Sequence, residues 1–405
     1  MMKTRVLFVD DEALVLQGLQ RMLRPLRHEW DMEFVESGQL ALERLAATPF
    51  DVVVSDMRMP GMDGAQLLSE VMHRHPRTVR IILSGHADQD LVLKAVGSTH
   101  QYLNKPCDAD LLRTTVQRAA ALGGTVSNEK VKDLVAQMDS LPTLPVVYRE
   151  ILTELRRPDS TVARVGEIIA RDVGLTAQVL KLVNSAFFGL RRSVSGPVEA
   201  VTFLGLDTMK ALVLAMHTFS QFANSELAGL SFAALQRHSL LVAGFSRSLA
   251  RHEFSDSKSA DEAFIAGLLH DAGKLLLAAN FKSHYQRVAT VAAEGGMPAH
   301  VVEMGVFGCT HAEVGGYLLG LWGLPPNIVD AITWHHRPAE SGSAVLNTAT
   351  ILHVADSLAH ELEPESVGAA SPVRQEQFLE QLGVAGRMDA WRGICRASLS
   401  SGGLS

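Results

Sequence analysis

Three aspartates, a serine and a lysine, each closing an apolar run, are the residues of this 405-residue chain with the plainest chemistry. Val6, Leu7, Phe8 and Val9 lead into Asp10 and Asp11; Val52, Val53 and Val54 lead towards Asp56; Val79 to Leu83 end in Ser84; Gln101 to Asn104 end in Lys105. The strands of one parallel sheet deliver such ends to a single edge, so three carboxylates, a hydroxyl and an ammonium converge. Clustered carboxylates repel one another and are hard oxygen ligands. A divalent ion such as magnesium would bind among them and neutralise an incoming phosphoryl group. Any one acid at a strand end is ordinarily a solvated loop residue; the ordered set, in its strand context, argues otherwise.

The elements that must hold these residues follow from the pattern. Residues 1–122 alternate short apolar runs with helical periodicity, which predicts βαβ units and a doubly wound α/β parallel sheet with helices on both faces. Its last helix is expected over Asp108 to Leu122, and Lys105-Pro106 is a candidate cis peptide that would aim the lysine into the site. Gly123-Gly124-Thr125 and an amphipathic stretch from Val126 to Met138 form a linker, taken as residues 123–140. From residue 141 to 362 apolar residues recur at three and four, predicting an all-α domain. Its helices are expected over Val146 to Leu155, Val162 to Arg171, Leu175 to Ser185, Ala200 to Phe222, Phe232 to Arg251, Asp261 to Leu277 and Val345 to Glu361. Residues 363–405 form a mixed extension whose last residues, Ser398 to Ser405, are expected to be disordered.

Composition excludes several classes. The length calls for two domains. The net charge of −7 is spread with acids and bases interspersed and no basic stripe, which opposes binding to a nucleic-acid backbone. The amino terminus enters a strand directly, and no apolar run reaches about 18 residues, so neither export nor membrane insertion is expected and the cytoplasm is the expected location. The three cysteines, Cys107, Cys309 and Cys395, have no paired spacing and read as buried spectators.

The helical part carries a second constellation: His238, His270-Asp271, His311, His335-His336 and Asp356. The doublet lies within Gly267-Leu268-Leu269-His270-Asp271-Ala272-Gly273-Lys274, an apolar helix in which an imidazole and an acid need partners. Thr310 and Glu313 make a capping box that projects His311 from a first turn. His335-His336 close a short helix begun by Pro325-Pro326 and ended by Pro338, and Asp356 has His353 one turn before it and His360 one turn after. Imidazoles and carboxylates from several helices can hold one or two divalent transition-metal ions and activate water for phosphoester hydrolysis; interior histidines are more often satisfied core residues. Histidines 217, 252, 353 and 360 belong to no motif, and Lys274 reads as a helix-stabilising charge.

The first set, with Met59-Pro60-Gly61-Met62-Asp63-Gly64, resembles the receiver domain of bacterial response regulators (flavodoxin-like) over about the first 120 residues. The resemblance implies that Asp56 accepts a phosphoryl group from a sensor histidine kinase. It also implies that Asp10, Asp11, Asp56 and the carbonyl of Arg58 hold magnesium, that Ser84 and Lys105 bind the phosphoryl oxygens, and that Tyr102 is the aromatic switch. The helical part resembles the HD superfamily, and more closely its signalling relative, the HD-related output domain. The stretches that carry this are Leu141-Pro142-Thr143-Leu144-Pro145, Val183-Asn184-Ser185-Ala186-Phe187-Phe188-Gly189, Ala200 to Gly205, Leu268 to Lys274, Trp322-Gly323-Leu324-Pro325 and Trp334-His335-His336-Arg337-Pro338. That likeness implies a protein-interaction module with an unidentified downstream partner, in a family some of whose members serve cyclic-di-GMP signalling, rather than an enzyme. The alternative is a phosphorylation-gated, metal-dependent phosphohydrolase of cyclic dinucleotides or nucleotides. Two departures from the cyclic-di-GMP hydrolases weigh against it: no Gly-Tyr-Pro follows His335-His336, and Ala234 stands where those enzymes have an acid. Val131, Leu134, Val135 and Met138 lie at helical spacing, a stripe that can dock on either domain or on a second copy in a homodimer.

Overall fold

The computed structural model describes residues 3–84, 99–105, 107, 110, 112–117, 129–138, 146–155, 157, 159–183, 194–222, 227–322, 324–363 and 374–401. The chain divides into two compact units that part near residue 143. In the first, β1 (Thr4–Val9), β2 (Trp30–Val35), β3 (Val52–Asp56), β4 (Val79–Ser84) and β5 (Gln101–Asn104) form one sheet in the order β2-β1-β3-β4-β5, every neighbouring pair parallel. The order reverses between β1 and β3, the crevice where a doubly wound sheet presents ligand-binding residues. Apolar runs buried on both faces build it: Val6, Leu7, Phe8, Val52, Val53, Ile81 and Ile82 are fully enclosed.

Three helices are described whole around the sheet, α1 (Ala13–Met22), α2 (Gly38–Ala47) and α3 (Gly64–Arg74), and residues 110 and 112–117 are also helical. Ser37 caps α2 by accepting from Leu40 N at 3.2 Å. Asp63 and Gln66 close a full capping box on α3. Gly64 is required there, because a Cβ would lie 2.1 Å from the carbonyl oxygen of Asp56. Helix α4 (Glu129–Ala136) also belongs to this unit. Val131, Val135 and Met138 are buried, and Arg77 pairs with Asp133. Residues 123–128 and 139–140 of the expected linker, Pro106, and most of the expected helix 108–122 lie outside the described residues.

The second unit is helical: α5 (Val146–Leu155), α6 (Val162–Ala170), α7 (Val173–Val183), α8 (Pro197–Leu204), α9 (Leu206–Phe222), α10 (Phe232–Glu253), α11 (Ser257–Leu269), α12 (Ala272–Asn280), α13 (Lys282–Gly295), α14 (Ala299–Phe307), α15 (His311–Leu321), α16 (Pro326–Trp334), α17 (Thr348–Leu362), α18 (Glu376–Gln381) and α19 (Met388–Ser401). Two expected helices are broken. Ala200 to Phe222 divides at Gly205, whose φ of +78° is left-handed and ends α8. Asp261 to Leu277 divides at His270-Asp271, which form the corner between α11 and α12 and not the interior of one helix. Ser398 to Ser401, expected to be disordered, continue α19, because Trp391 and Cys395 on its inner face are fully buried. Among the described residues no helix is long and apolar enough to cross a membrane.

Candidate functional site

At the carboxyl edge of the sheet, Asp10 is almost wholly buried and Asp56 nearly so, whereas Asp11 is exposed. The Lys105 ammonium bridges the two buried acids, at 2.6 Å from Asp10 Oδ2 and in direct contact with Asp56 Oδ1. Arg58 N donates to Asp56 Oδ2 at 2.8 Å, and Glu12 N to Asp10 Oδ1 at 3.0 Å. Burial lifts the Asp56 carboxyl above its ordinary value against the pull of Lys105, with Asp10 adding repulsion. Burial alone would lower the Lys105 ammonium, but its bonds to Asp10 and Asp56 hold it above its usual range. The structure thus gathers Asp10, Asp56 and Lys105 and places Asp11 and Arg58 at the rim. Ser84 ends β4 opposite Asn104 and Tyr102 pairs with Ile82; their side chains lie outside the described residues.

The second site is a cage of buried polar side chains. Glycines set its geometry. A Cβ on Gly267 would fall 2.6 Å from Ala243 Cα, and one on Gly273 2.0 Å from the carbonyl oxygen of His311. Only glycine on each side of the doublet lets α11 meet α10, and α12 meet the start of α15, this closely. His270-Asp271 are thereby brought against His238 and His311. His238 Nε2 lies 3.0 Å from Asp356 Oδ1 and 3.9 Å from Asp271 Oδ2. His270 Nε2 lies 3.5 Å from Asp271 Oδ2 and 3.8 Å from Asp356 Oδ1, and His311 Nε2 is 3.1 Å from Asp271 Oδ1. His336 Nε2 meets His311 Nε2 at 3.0 Å, and Lys274 Nζ donates to Asp271 Oδ2 at 2.8 Å. All seven residues singled out from the sequence converge.

Protonation can be read from the bonds. Nδ1 of His270 donates to the Gly267 carbonyl and Nδ1 of His335 to the Ile332 carbonyl, each at 2.7 Å. Both Nε2 atoms therefore carry lone pairs, and both are buried without a hydrogen-bond partner. Burial drives the His270, His335 and His336 imidazoles down, well down for the last two. Burial works against ionising Asp271 and Asp356, yet the surrounding imidazoles, and Lys274 at Asp271, hold both carboxyls below their ordinary values. Neutral imidazoles at 270, 335 and 336 beside ionised carboxylates, with the lone pairs of the first two orphaned, are a donor set fitted to a divalent transition metal. Groups of donors within 4.8 Å of one another include His270, His335 and Asp356; His238, His270 and Asp271; and His311, His335 and His336.

The receiver-domain family model matches residues 6–117, and the HDOD-domain model residues 141–338. The chain carries a receiver domain followed by an HDOD domain. An uncharacterized protein of Treponema pallidum is 26% identical over 264 residues, 63% of this chain and 50% of that one. The hydrogenase transcriptional regulatory protein HoxA of Cupriavidus necator is 36% identical over 192 residues, 44% of this chain and 39% of that one. The chain spans half or less of the curated relatives it matches first. A crystal structure of an HDOD domain protein of unknown function from Geobacter sulfurreducens aligns with a TM-score of 0.53 at 26% identity, covering 69% of this chain and 95% of that one.

Within the HDOD domain the structure adds residues that the motifs did not reveal. Glu303, fully buried on α14, accepts from His311 N at 2.8 Å and from His311 Nδ1 at 2.7 Å. A single acid in the apolar run Ala299 to Phe307 was the signal for it. His360 Nε2 lies 3.5 Å from Asp356 Oδ1, and His353 Nδ1 donates to the His335 carbonyl at 2.7 Å, so both belong to the cage although they belong to no motif. His300 stacks on His336 with ring centres 3.9 Å apart. His217 is half-buried and His252 exposed; neither is in a donor group of the cage.

Proposed function

We propose that a sensor histidine kinase phosphorylates this response regulator on Asp56, and that the HDOD domain acts as the protein-interaction module that carries the signal to a partner. The Lys105 ammonium, shared by Asp10 and Asp56, is the observation that carries the first half. It neutralises two buried carboxylates that otherwise repel, and it lies where the oxygens of a phosphoryl group on Asp56 would need a cation. Asp10, Asp56 and the Arg58 carbonyl supply only oxygen, as magnesium prefers, with Asp11 at hand from the rim. When bound, magnesium would neutralise the incoming phosphoryl group. Ser84 and Tyr102 would complete the switch, and the cytoplasm would house it. Mass-spectrometric mapping after acetyl phosphate tests this: phosphate should be found on Asp56, and a modified peptide elsewhere defeats the reading.

The closure of the cage favours an interaction module over an enzyme. His238, His270, Asp271, His311, His335 and Asp356 are each 2% exposed or less, and His336 is 9% exposed. A cyclic dinucleotide needs open access to its metal. The second reading, a metal-dependent phosphohydrolase, is favoured by the orphaned Nε2 atoms of His270 and His335. Here His238, His270, Asp271, His311, His335, His336 and Asp356 would hold a divalent transition metal, whose chemistry is to acidify bound water. Lys274 keeps Asp271 ionised, and Glu303 orients His311. Elemental analysis with turnover assays on cyclic dinucleotides separates the readings: metal without turnover supports a cage that holds the module together, and metal with turnover supports the enzyme.

A further inference from the structure

We infer that Arg374 and Gln375, just ahead of α18, are positioning residues for His335 and His336. The reasoning starts at the end of α16. The last carbonyls of a helix have no partner within it. Here the carbonyls of the two residues beyond α16, His335 and His336, are both engaged from elsewhere. His353 Nδ1 donates to the His335 carbonyl at 2.7 Å. With that nitrogen protonated, His353 Nε2 is an acceptor, and Gln375 N donates to it at 3.1 Å. The Gln375 side-chain amide donates to the His336 carbonyl at 3.4 Å. One residue from beyond the matched HDOD range thus restrains both histidines, one of them through a bridging imidazole whose two nitrogens are both used.

The restraint is itself anchored. Arg374 Nε donates to Ser357 Oγ and its Nη2 to Glu361 Oε2, each at 3.0 Å, on the helix that carries His353 and Asp356. Glu361 also accepts from Arg392 Nε at 2.6 Å. Trp391 Nε1 donates to Glu253 Oε1 at 2.7 Å, and Arg387 pairs with the other oxygen of that carboxylate. The segment from Arg374 to α19 is therefore tied to α10 and α17, the helices of His238 and Asp356. His335 Nε2 faces the cage as an orphaned lone pair; its ring is held by its own bond to the Ile332 carbonyl and by packing against the rings of His270 and His336. What fixes the backbone from which that ring projects is the relay Gln375, His353, His335.

The inference rests on the cage being a metal site, and the test has one arm that does not. Gln375 has φ −81°, which proline accepts, so Gln375→Pro deletes the N–H donor, whereas Gln375→Ala keeps it and loses only the bond to His336. In the full-length metal-free protein, labelled with ¹⁵N-histidine, the wild type should show His353 as the Nδ1–H tautomer with its Nε2 accepting. Gln375→Pro should shift the imidazole signals of His353 and His335, and Gln375→Ala should leave His353 unchanged. Unchanged His353 and His335 signals in Gln375→Pro overturn the inference. In the second arm, cobalt(II) is titrated into the same proteins and its visible bands are followed. Gln375→Pro should bind roughly 10- to 100-fold more weakly with altered bands, the range usual when a supporting partner of a metal ligand is lost. Wild-type affinity and bands in Gln375→Pro also overturn it. If the wild type takes up no cobalt while the imidazole signals respond, the metal reading fails and the positioning role stands.

Discussion

Replacing Glu303 by glutamine should flatten the alkaline limb of the HDOD domain's stability in the metal-free protein. His311 is fully buried, and burial alone would lower its imidazole; the Glu303 carboxylate, aided by the bond to Asp271, reverses that and lifts it to about 9 from an ordinary 6.5. A folded-state pKa raised above the unfolded one means that between 6.5 and about 9 the folded state holds more protons, so stability is full below 6.5 and falls as pH rises through 9. At about 1.4 kcal/mol per pH unit, that displacement corresponds to roughly 3 kcal/mol. The other cage imidazoles that shift, at 270, 300, 335, 336, 353 and 360, are lowered and titrate on the acid side, so they do not contribute above neutrality. Cys395, pushed up to about 12 by burial, acts only above its ordinary value of 9 and does so equally in both proteins. The assay is urea unfolding at pH 6.5, 7.5 and 8.5 with EDTA present, read on the helical transition. The wild type should lose most of its alkaline increment over this range and Glu303→Gln a clearly smaller part, since the bond to Asp271 remains. Parallel curves would show that His311 is not held protonated by Glu303.

Further outcomes follow from other contacts. Asp56→Asn should abolish labelling by acetyl phosphate, and changes at Asp10 or Asp11 should slow it, measured by phosphate-affinity electrophoresis; full labelling of Asp56→Asn would remove Asp56 from its role. Gly273→Ala should destabilise by about 1–3 kcal/mol or more in urea, because its Cβ would press 2.0 Å from the His311 carbonyl and the backbone must move. His270→Ala with Asp271→Ala should cost stability first, about 1–3 kcal/mol for each buried partner left unsatisfied, and should remove any bound transition metal in elemental analysis. A beryllofluoride mimic should change the scattering profile or the hydrogen exchange of residues 123–140 while leaving exchange in α10 and α17 alone; no change in either would mean that the linker transmits nothing.

Much of the fold is legible because its signals are local. Apolar runs ending in acids mark β1 and β3, and helical periodicity finds most of the second unit. Periodicity does not reveal a break when apolar residues continue through it. Phe264 to Leu277 keeps its pattern across the corner at His270-Asp271, and the reason for the corner lies in α10 and α15, distant in sequence, against which Gly267 and Gly273 pack. The cage is legible in its motif residues and illegible in its supports. Glu303 and His360 each carried a signal, a lone acid in an apolar helix and an imidazole one turn from Asp356. Gln375 carried none, since its bond to His353 uses a backbone N–H that every residue but proline possesses.

The two sites differ in how they can pass a signal on. The receiver site is built of oxygen around a lysine whose side chain is 28% exposed, so ions and phosphoryl donors reach it without unfolding anything. The cage is closed, and hydrogen bonds and ion pairs link its side chains across α10, the α11–α12 corner, α14, α15, α16 and α17. Moving any one of these by an ångström would orphan several buried groups together, each at a cost of about 1–3 kcal/mol, which exceeds what a phosphoryl switch of a few kcal/mol supplies. Such a core has discrete arrangements and does not deform gradually. On the proposed reading, a phosphoryl group on Asp56 would act on the HDOD domain as a whole, by changing which of its surfaces a partner can reach, while the cage keeps the domain's shape constant.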